Sequence, residues 1–174
     1  KIVAAHESID VESTASTAIQ KMDGSYNNID FGYGITWDKR NQRFQPTAGY
    51  ISKFSQTLPL VQDSSAIING IDFSAYHAVS DDVIGAAKFY ARSINGVDDD
   101  VRLTNRLYLP QKKLRGFNTR KVGPKDGGDY IGGNYTTAIG LEAQLPNLLP
   151  ESTRTDFSVF LDTGNVWSVD YDNS

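Results

Sequence analysis

The chain has 174 residues, 39% hydrophobic and 22% charged, with 15 Gly, 6 Pro and no Cys. Its 17 basic and 21 acidic side chains give a formal net charge of -4, which argues against a general nucleic-acid binder, and the lack of Cys excludes disulfides and thiolate chemistry. His6 and His77 stand far apart, so a multi-histidine metal site is excluded, and no apolar run reaches the ~20 residues of a membrane-spanning helix, which leaves membrane β-barrels open.

Residues 1–5 (Lys-Ile-Val-Ala-Ala) start inside an apolar stretch and read as a strand fragment. Residues 169–174 stop in a polar, turn-like stretch, so both ends suggest a piece of something longer. Residues 11–22 have a helical flavour with Asp10 as N-cap, but the thin apolar stripe supports no more than a loop helix. From residue 30 to 38 the period is two: Phe31, Tyr33, Ile35 and Trp37 share one face, and Gly32, Gly34 and Thr36 the other. Residues 40–48 carry Pro46 and read as a turn. A weaker strand, 49–58, has Tyr50, Phe54 and Leu58 on one face, and 59–65 breaks it.

Alternation resumes at 67–78, with Ile71, Phe73 and Ala75 opposite Asp72, Ser74 and Tyr76. After a tight turn at 80–82, the strand 83–94 sets Ala87, Phe89 and Ala91 against Lys88, Tyr90 and Arg92. A long interruption rich in Gly, Asp, Lys and Arg spans about 95–129, a length that points to a functional or disordered loop. Strand 134–145 places Ile139 and Leu141 opposite Gly140 and Glu142; after a turn at 146–152, strand 155–166 places Phe157, Val159 and Leu161 opposite Ser158 and Asp162.

These segments predict an all-β, antiparallel up-and-down sheet of about six full strands plus the initial fragment. Long and short connections alternate, as in outer-membrane barrels, with 60–64 as the exception. Periodicity alone leaves a soluble β-sandwich and a membrane barrel both open. Two features lean towards the barrel. The non-apolar face is crowded with Gly and small residues, and aromatics recur near strand ends (Tyr26, Tyr33, Trp37, Tyr50, Tyr90, Tyr135, Trp167), as interfacial girdles do.

The long loop holds Leu114-Arg115-Gly116-Phe117, then Gly123-Pro124-Lys125 and Gly132-Gly133-Asn134. The next strand carries Leu141-Glu142, and the last one Asp162-Thr163-Gly164-Asn165-Val166-Trp167. A guanidinium is a permanently charged planar fork suited to carboxylates. Glu142 and Asp162 fall on the polar face of adjacent strands, where an inserted Arg115 relieves their repulsion. Gly116 permits a sharp turn and Phe117 is expected to wedge against the wall. The loop is therefore expected to fold inward and be pinned by Arg115 to Glu142 and Asp162. Asp38, Lys39, Arg40, Arg43, Lys88 and Arg92 read as solvated charge, and so does the run Asp98-Asp99-Asp100. No catalytic set, metal site, nucleotide cradle or cofactor site is expected.

In this order the motifs resemble the bacterial surface antigen family, the BamA-type outer-membrane assembly barrels, with the likeness running from about Tyr26 to Trp167. The turn Phe44-Gln45-Pro46-Thr47-Ala48-Gly49-Tyr50 also looks like a hairpin of that family. The resemblance implies that residues 1–174 belong to one transmembrane β-barrel domain, about six to seven strands of sixteen, with the inward loop at about 95–129. It implies a non-enzymatic role in folding and inserting β-barrel proteins into the outer membrane of a Gram-negative cell. Implied partners are outer-membrane lipid, unfolded outer-membrane protein clients, accessory lipoproteins and periplasmic chaperones. A two-partner secretion or autotransporter-assembly pore of the same family, or a passive porin, is the alternative.

Overall fold

The computed structural model describes residues 1–15, 17–20, 22–63, 65–97, 99–126, 128–146, 148–149 and 156–170. In chain order the elements are β1 (Ile2–Ile9), α1 (Thr17–Gln20), β2 (Gly24–Asp38), β3 (Ala48–Gln62), β4 (Ala66–Ser80), β5 (Val83–Gly96), β6 (Lys125–Asp126), β7 (Asp129–Tyr130), β8 (Tyr135–Leu145) and β9 (Phe157–Trp167). Seven of the strands form one antiparallel sheet in the order β1-β2-β3-β4-β5-β8-β9, while β6 and β7 make a small hairpin inside the long loop. Every large neighbour in the sheet is also a neighbour in sequence except across that loop.

Three local expectations give way. The initial fragment is a full strand, paired from Ile2 opposite Phe31 to Ile9 opposite Gly24. β3 does not stop at Pro59 but continues to Gln62. Its register slips there: Asp30 faces Pro59 and Ile29 faces Val61, so Leu60 is bulged and the missing proline N–H falls where the ladder is already interrupted. Of the described residues in 11–22, only Thr17–Gln20 is α-helical, and Asp10 lies too far upstream to cap it. Ser64, Asp98 and most of 146–155 lie outside the described residues, so the turns assigned there are only partly visible.

The two faces of the sheet have opposite fates. Phe31, Tyr33, Ile35, Trp37, Ile139 and Leu161 are all exposed on one face, Leu161 to 70%. On the other face a core of Tyr90, Leu109, Leu114, Ala138 and Val166 is buried between the sheet and the loop, with Val122 packed against it. A soluble sandwich requires the reverse, an apolar face covered by a second layer. Among the described residues nothing covers the apolar face, and so much large apolar surface calls for an apolar surrounding such as hydrocarbon.

The aromatic pattern needs one correction. Tyr33, Trp37, Tyr50, Tyr135 and Trp167 stand on the open face, and Tyr135 and Trp167 stack with centroids 6.0 Å apart. Tyr26 and Tyr90 instead point under the loop, Tyr26 with the Arg102 guanidinium 4.3 Å above its ring. They are platforms for cations and do not belong to a girdle.

Candidate functional site

The site begins with the register of β8 and β9. Gly140 faces Asp162 and Glu142 faces Phe160, so the two carboxylates sit diagonally on the loop-covered side. Gly140 leaves Asp162 its space, because a Cβ there would meet Asp162 Oδ1 at 2.9 Å.

The loop brings a cation to this pair. A turn closed by Lys113 N–H donating to Pro110 O (2.8 Å) presents residues 113–115 to the wall, and Gly116 leaves it in the left-handed region at φ 87°. Arg115 Nε donates to Asp162 Oδ2 (2.7 Å) and Nη2 to Oδ1 (2.8 Å), a two-pronged grip that the Arg115 backbone N–H reinforces at 3.0 Å. Arg115 Nη1 donates to Glu142 Oε2 at 2.7 Å. The guanidinium carbon also sits over the Phe160 ring, 3.6 Å from its centroid. Lys88 Nζ (2.9 Å) shares Glu142 Oε2, and Gln144 takes Oε1 (2.9 Å). The Asp162 and Glu142 side chains are only 5% and 8% exposed. Hydrogen bonding to Asp162 outweighs desolvation and, with Glu142 adding to it, holds the Arg115 proton more firmly than in an ordinary arginine.

Two cations and two carboxylates thus neutralise each other in a partly dry pocket. Each charge of the set is engaged by another, and the contacts tie the loop to the wall at β8 and β9. Leu114, buried at 6% exposure, plugs into the core beside Tyr90 and Val166. Phe117 departs from the expectation. It is 54% exposed and does not wedge against the wall, because the turn at Gly116 carries it away.

Three cations read as solvated are paired. Lys88 is held by Glu142, Arg92 by Asp72, and Arg40 clasps Asp38 through Nε (2.9 Å) and Nη2 (2.7 Å). Lys39 and Arg43 are exposed. Alternation places such residues on a face but is blind to which opposite charge shares it. Phe160 had a detectable signal, being an aromatic on the polar side of β9. Asp170 had none: it accepts from Val101 N (2.6 Å) and from Asn134 Nδ2, tying both ends of the loop together. Among the described residues no cluster is able to hold a metal ion, and Asp99 and Asp100 are exposed.

The geometry also selects the charge reversal that tests the grip. Reversing Arg115 with Glu142 would set a new cation beside Lys88 and a new anion beside Asp162. The pair to reverse is Arg115→Asp with Asp162→Arg, which keeps an arginine next to Glu142. Each single change is expected to expose the loop to trypsin, and the double change to restore most of the protection; a double variant cut as fast as the singles would contradict the pairing.

The chain matches the Omp85 superfamily domain over residues 2–174. It is 29% identical over 171 residues to the sorting and assembly machinery component 50 homolog of Homo sapiens, covering 91% of this chain and 36% of that protein. It is 26% identical over 171 residues to the outer membrane protein assembly factor BamA of Neorickettsia risticii (strain Illinois), covering 92% and 22% respectively. The crystal structure of BamA from Haemophilus ducreyi lacking POTRA domains 1-3 superposes with a TM-score of 0.73 at 24% identity, over 83% of this chain and 31% of that one. The chain therefore spans about a third or less of the proteins it matches, and the superposition shows the fold: an antiparallel sheet that forms part of a transmembrane β-barrel wall. With a single family model spanning nearly every residue, the chain belongs to the Omp85 superfamily.

Proposed function

We propose that this wall belongs to an assembly factor that folds and inserts β-barrel proteins into an outer membrane. The observation that carries the reading is the Arg115 grip on Asp162 and Glu142, which commits a 38-residue connection, 97–134, to the lumen instead of to solvent. A passive channel needs a constriction but not a fork locked on two wall carboxylates. The relatives named for sorting, assembly and outer-membrane protein assembly point the same way. The work is non-covalent: local thinning of the bilayer and templating of client strands at an open seam, with no cofactor and no chemical step.

The partners proposed are outer-membrane lipid, unfolded barrel clients, accessory lipoproteins and periplasmic chaperones. Animal and bacterial proteins both carry this domain, so a Gram-negative setting is itself part of the proposal. The test is replacement of the complete protein by its Arg115→Ala variant in a cell depleted of the native copy. The expected result is a fall in folded, heat-resistant client barrels at unchanged levels of the variant itself. Normal client levels, with a channel conductance also insensitive to the change, would instead favour a porin.

A further inference from the structure

Lys113 stands two residues before Arg115 and reaches a different wall. Its Nζ donates to Asp72 Oδ1 on β4 at 2.6 Å, and it lies 5.0 Å from the centroid of the Tyr90 ring. Asp72 is not a casual partner. Its other oxygen, Oδ2, is taken by Arg92 Nη2, and Arg92 is itself fixed by Nη1 donating to Ile71 O (3.0 Å) and Ala91 O (2.8 Å). The Arg92 guanidinium rests 4.4 Å from the Tyr90 ring centroid. It fits there because residue 70 has no side chain, since a Cβ on Gly70 would meet Arg92 Nε at 2.7 Å. One carboxylate oxygen is thus held in place by the wall, and the other is presented to the loop.

We infer that Asp72, pre-oriented by Arg92, is a receptor for the loop cation, and that Lys113 is a positioning residue which sets the direction of the loop across the lumen. The inference rests on the reading that Arg115 docks the same loop. A single anchor at β8–β9 fixes a point and leaves the tip free to swing about it. A second anchor on β4 removes that freedom. Three consecutive side chains then address three places: Lys113 the wall at β4, Leu114 the core over Tyr90 and Ala138, and Arg115 the carboxylates of β8 and β9. Lys113 is the weaker of the two charged anchors, because its single ammonium contact lacks the two-pronged geometry and its side chain is 34% exposed.

The test uses the complete protein in lipid vesicles, in a cysteine-free background, with spin labels introduced at Phe117→Cys on the exposed side of the loop and at Asp81→Cys in the β4–β5 turn. Distances between the labels report the pose of the tip. With Lys113 intact a single narrow distribution is expected. Lys113→Gln and Asp72→Asn should each raise the ratio of displaced to docked tip roughly five- to tenfold, the scale of one partly exposed charge-assisted bond. Lys113→Gln changes only a part-exposed loop side chain, so it reports even if Asp72→Asn fails to fold. An unchanged distribution in Lys113→Gln overturns the inference, as does an unchanged distribution in a folded Asp72→Asn variant. Client assembly measured on the same samples separates the two readings. Shifted distances with normal assembly uphold the second anchor and count against an assembly role for the loop; impaired assembly with unshifted distances overturns the second anchor alone.

Discussion

Replacing Arg115 with Ala is expected to release the loop from the lumen wall at a cost of about 3 kcal/mol, roughly a hundredfold in the docked-to-released ratio. The size follows from what is left behind. In the docked pose Asp162, 5% exposed, loses both prongs of the guanidinium and, among the described residues, keeps the donation from the backbone N–H of residue 115. A buried carboxylate left so short of partners is costly, and release of the loop relieves the cost by returning it to water, which is what shifts the balance. Glu142 suffers less, because Lys88 and Gln144 remain on it. Trypsin is a convenient reporter, since Lys112, Arg120 and Lys121 are exposed cleavage sites on the same loop. Cutting should accelerate when cleavage is limited by the released population.

Arg115→Lys separates charge from shape. An ammonium keeps the charge but reaches one carboxylate at a time, and it loses the guanidinium contact 3.6 Å from the Phe160 ring centroid. Roughly half of the Ala penalty, about 1–2 kcal/mol, is expected to remain. Protection equal to the native protein would show that the fork is unnecessary and that the wall needs only a cation. The grip would then be a general electrostatic contact.

The strands were legible because alternation is a direct consequence of a sheet with unlike faces. Phe31, Tyr33, Ile35 and Trp37 declare one side of β2 in seven residues. What alternation does not contain is the sign of the inside. The same pattern serves a sandwich and a lipid-facing wall, and only the position of the buried set, Tyr90 with Leu109, Leu114 and Val166, shows which face the chain covers. Strand ends were less legible. Pro59 reads as a breaker because its missing N–H forbids a regular ladder, yet the bulge at Leu60 removes the need for that bond. At the site, Arg115, Glu142 and Asp162 could be named because their residue types and faces match a guanidinium between two acids. Asp72 and Lys113 could not be paired in the same way. They lie 41 residues apart, and their meeting depends on the loop path and on the space above Gly70, neither of which has a local signature. Phe117 failed for the converse reason: a large apolar side chain in a motif invites burial, but the left-handed turn at Gly116 directs it outward.

Placing a charge on the open face distinguishes the lipid-facing wall from a water-facing one by the sign and size of its effect. Leu161 is the sharpest position. It lies near the middle of β9, faces Leu141 across the ladder and is 70% exposed. In a water-facing sheet Leu161→Arg would be a surface substitution, worth within about 0.5 kcal/mol. In hydrocarbon near the bilayer midplane the same change costs about 2–4 kcal/mol, since the guanidinium must stay solvated by snorkelling or by deforming the bilayer. Thr36→Lys is the paired control: it adds a charge to an exposed residue of the lumen face, where water is available, and should change little. Urea titration of the complete protein in lipid vesicles, followed by the shift of the folded band on unheated gels, measures both. The expected result is a loss of stability for Leu161→Arg several times that of Thr36→Lys. A shift from vesicles of long-chain to short-chain lipid should reduce the Leu161→Arg penalty, because a thinner bilayer brings residue 161 closer to the interface. Equal, small effects for the two substitutions in every lipid would place the open face in water and remove the physical basis for a membrane wall.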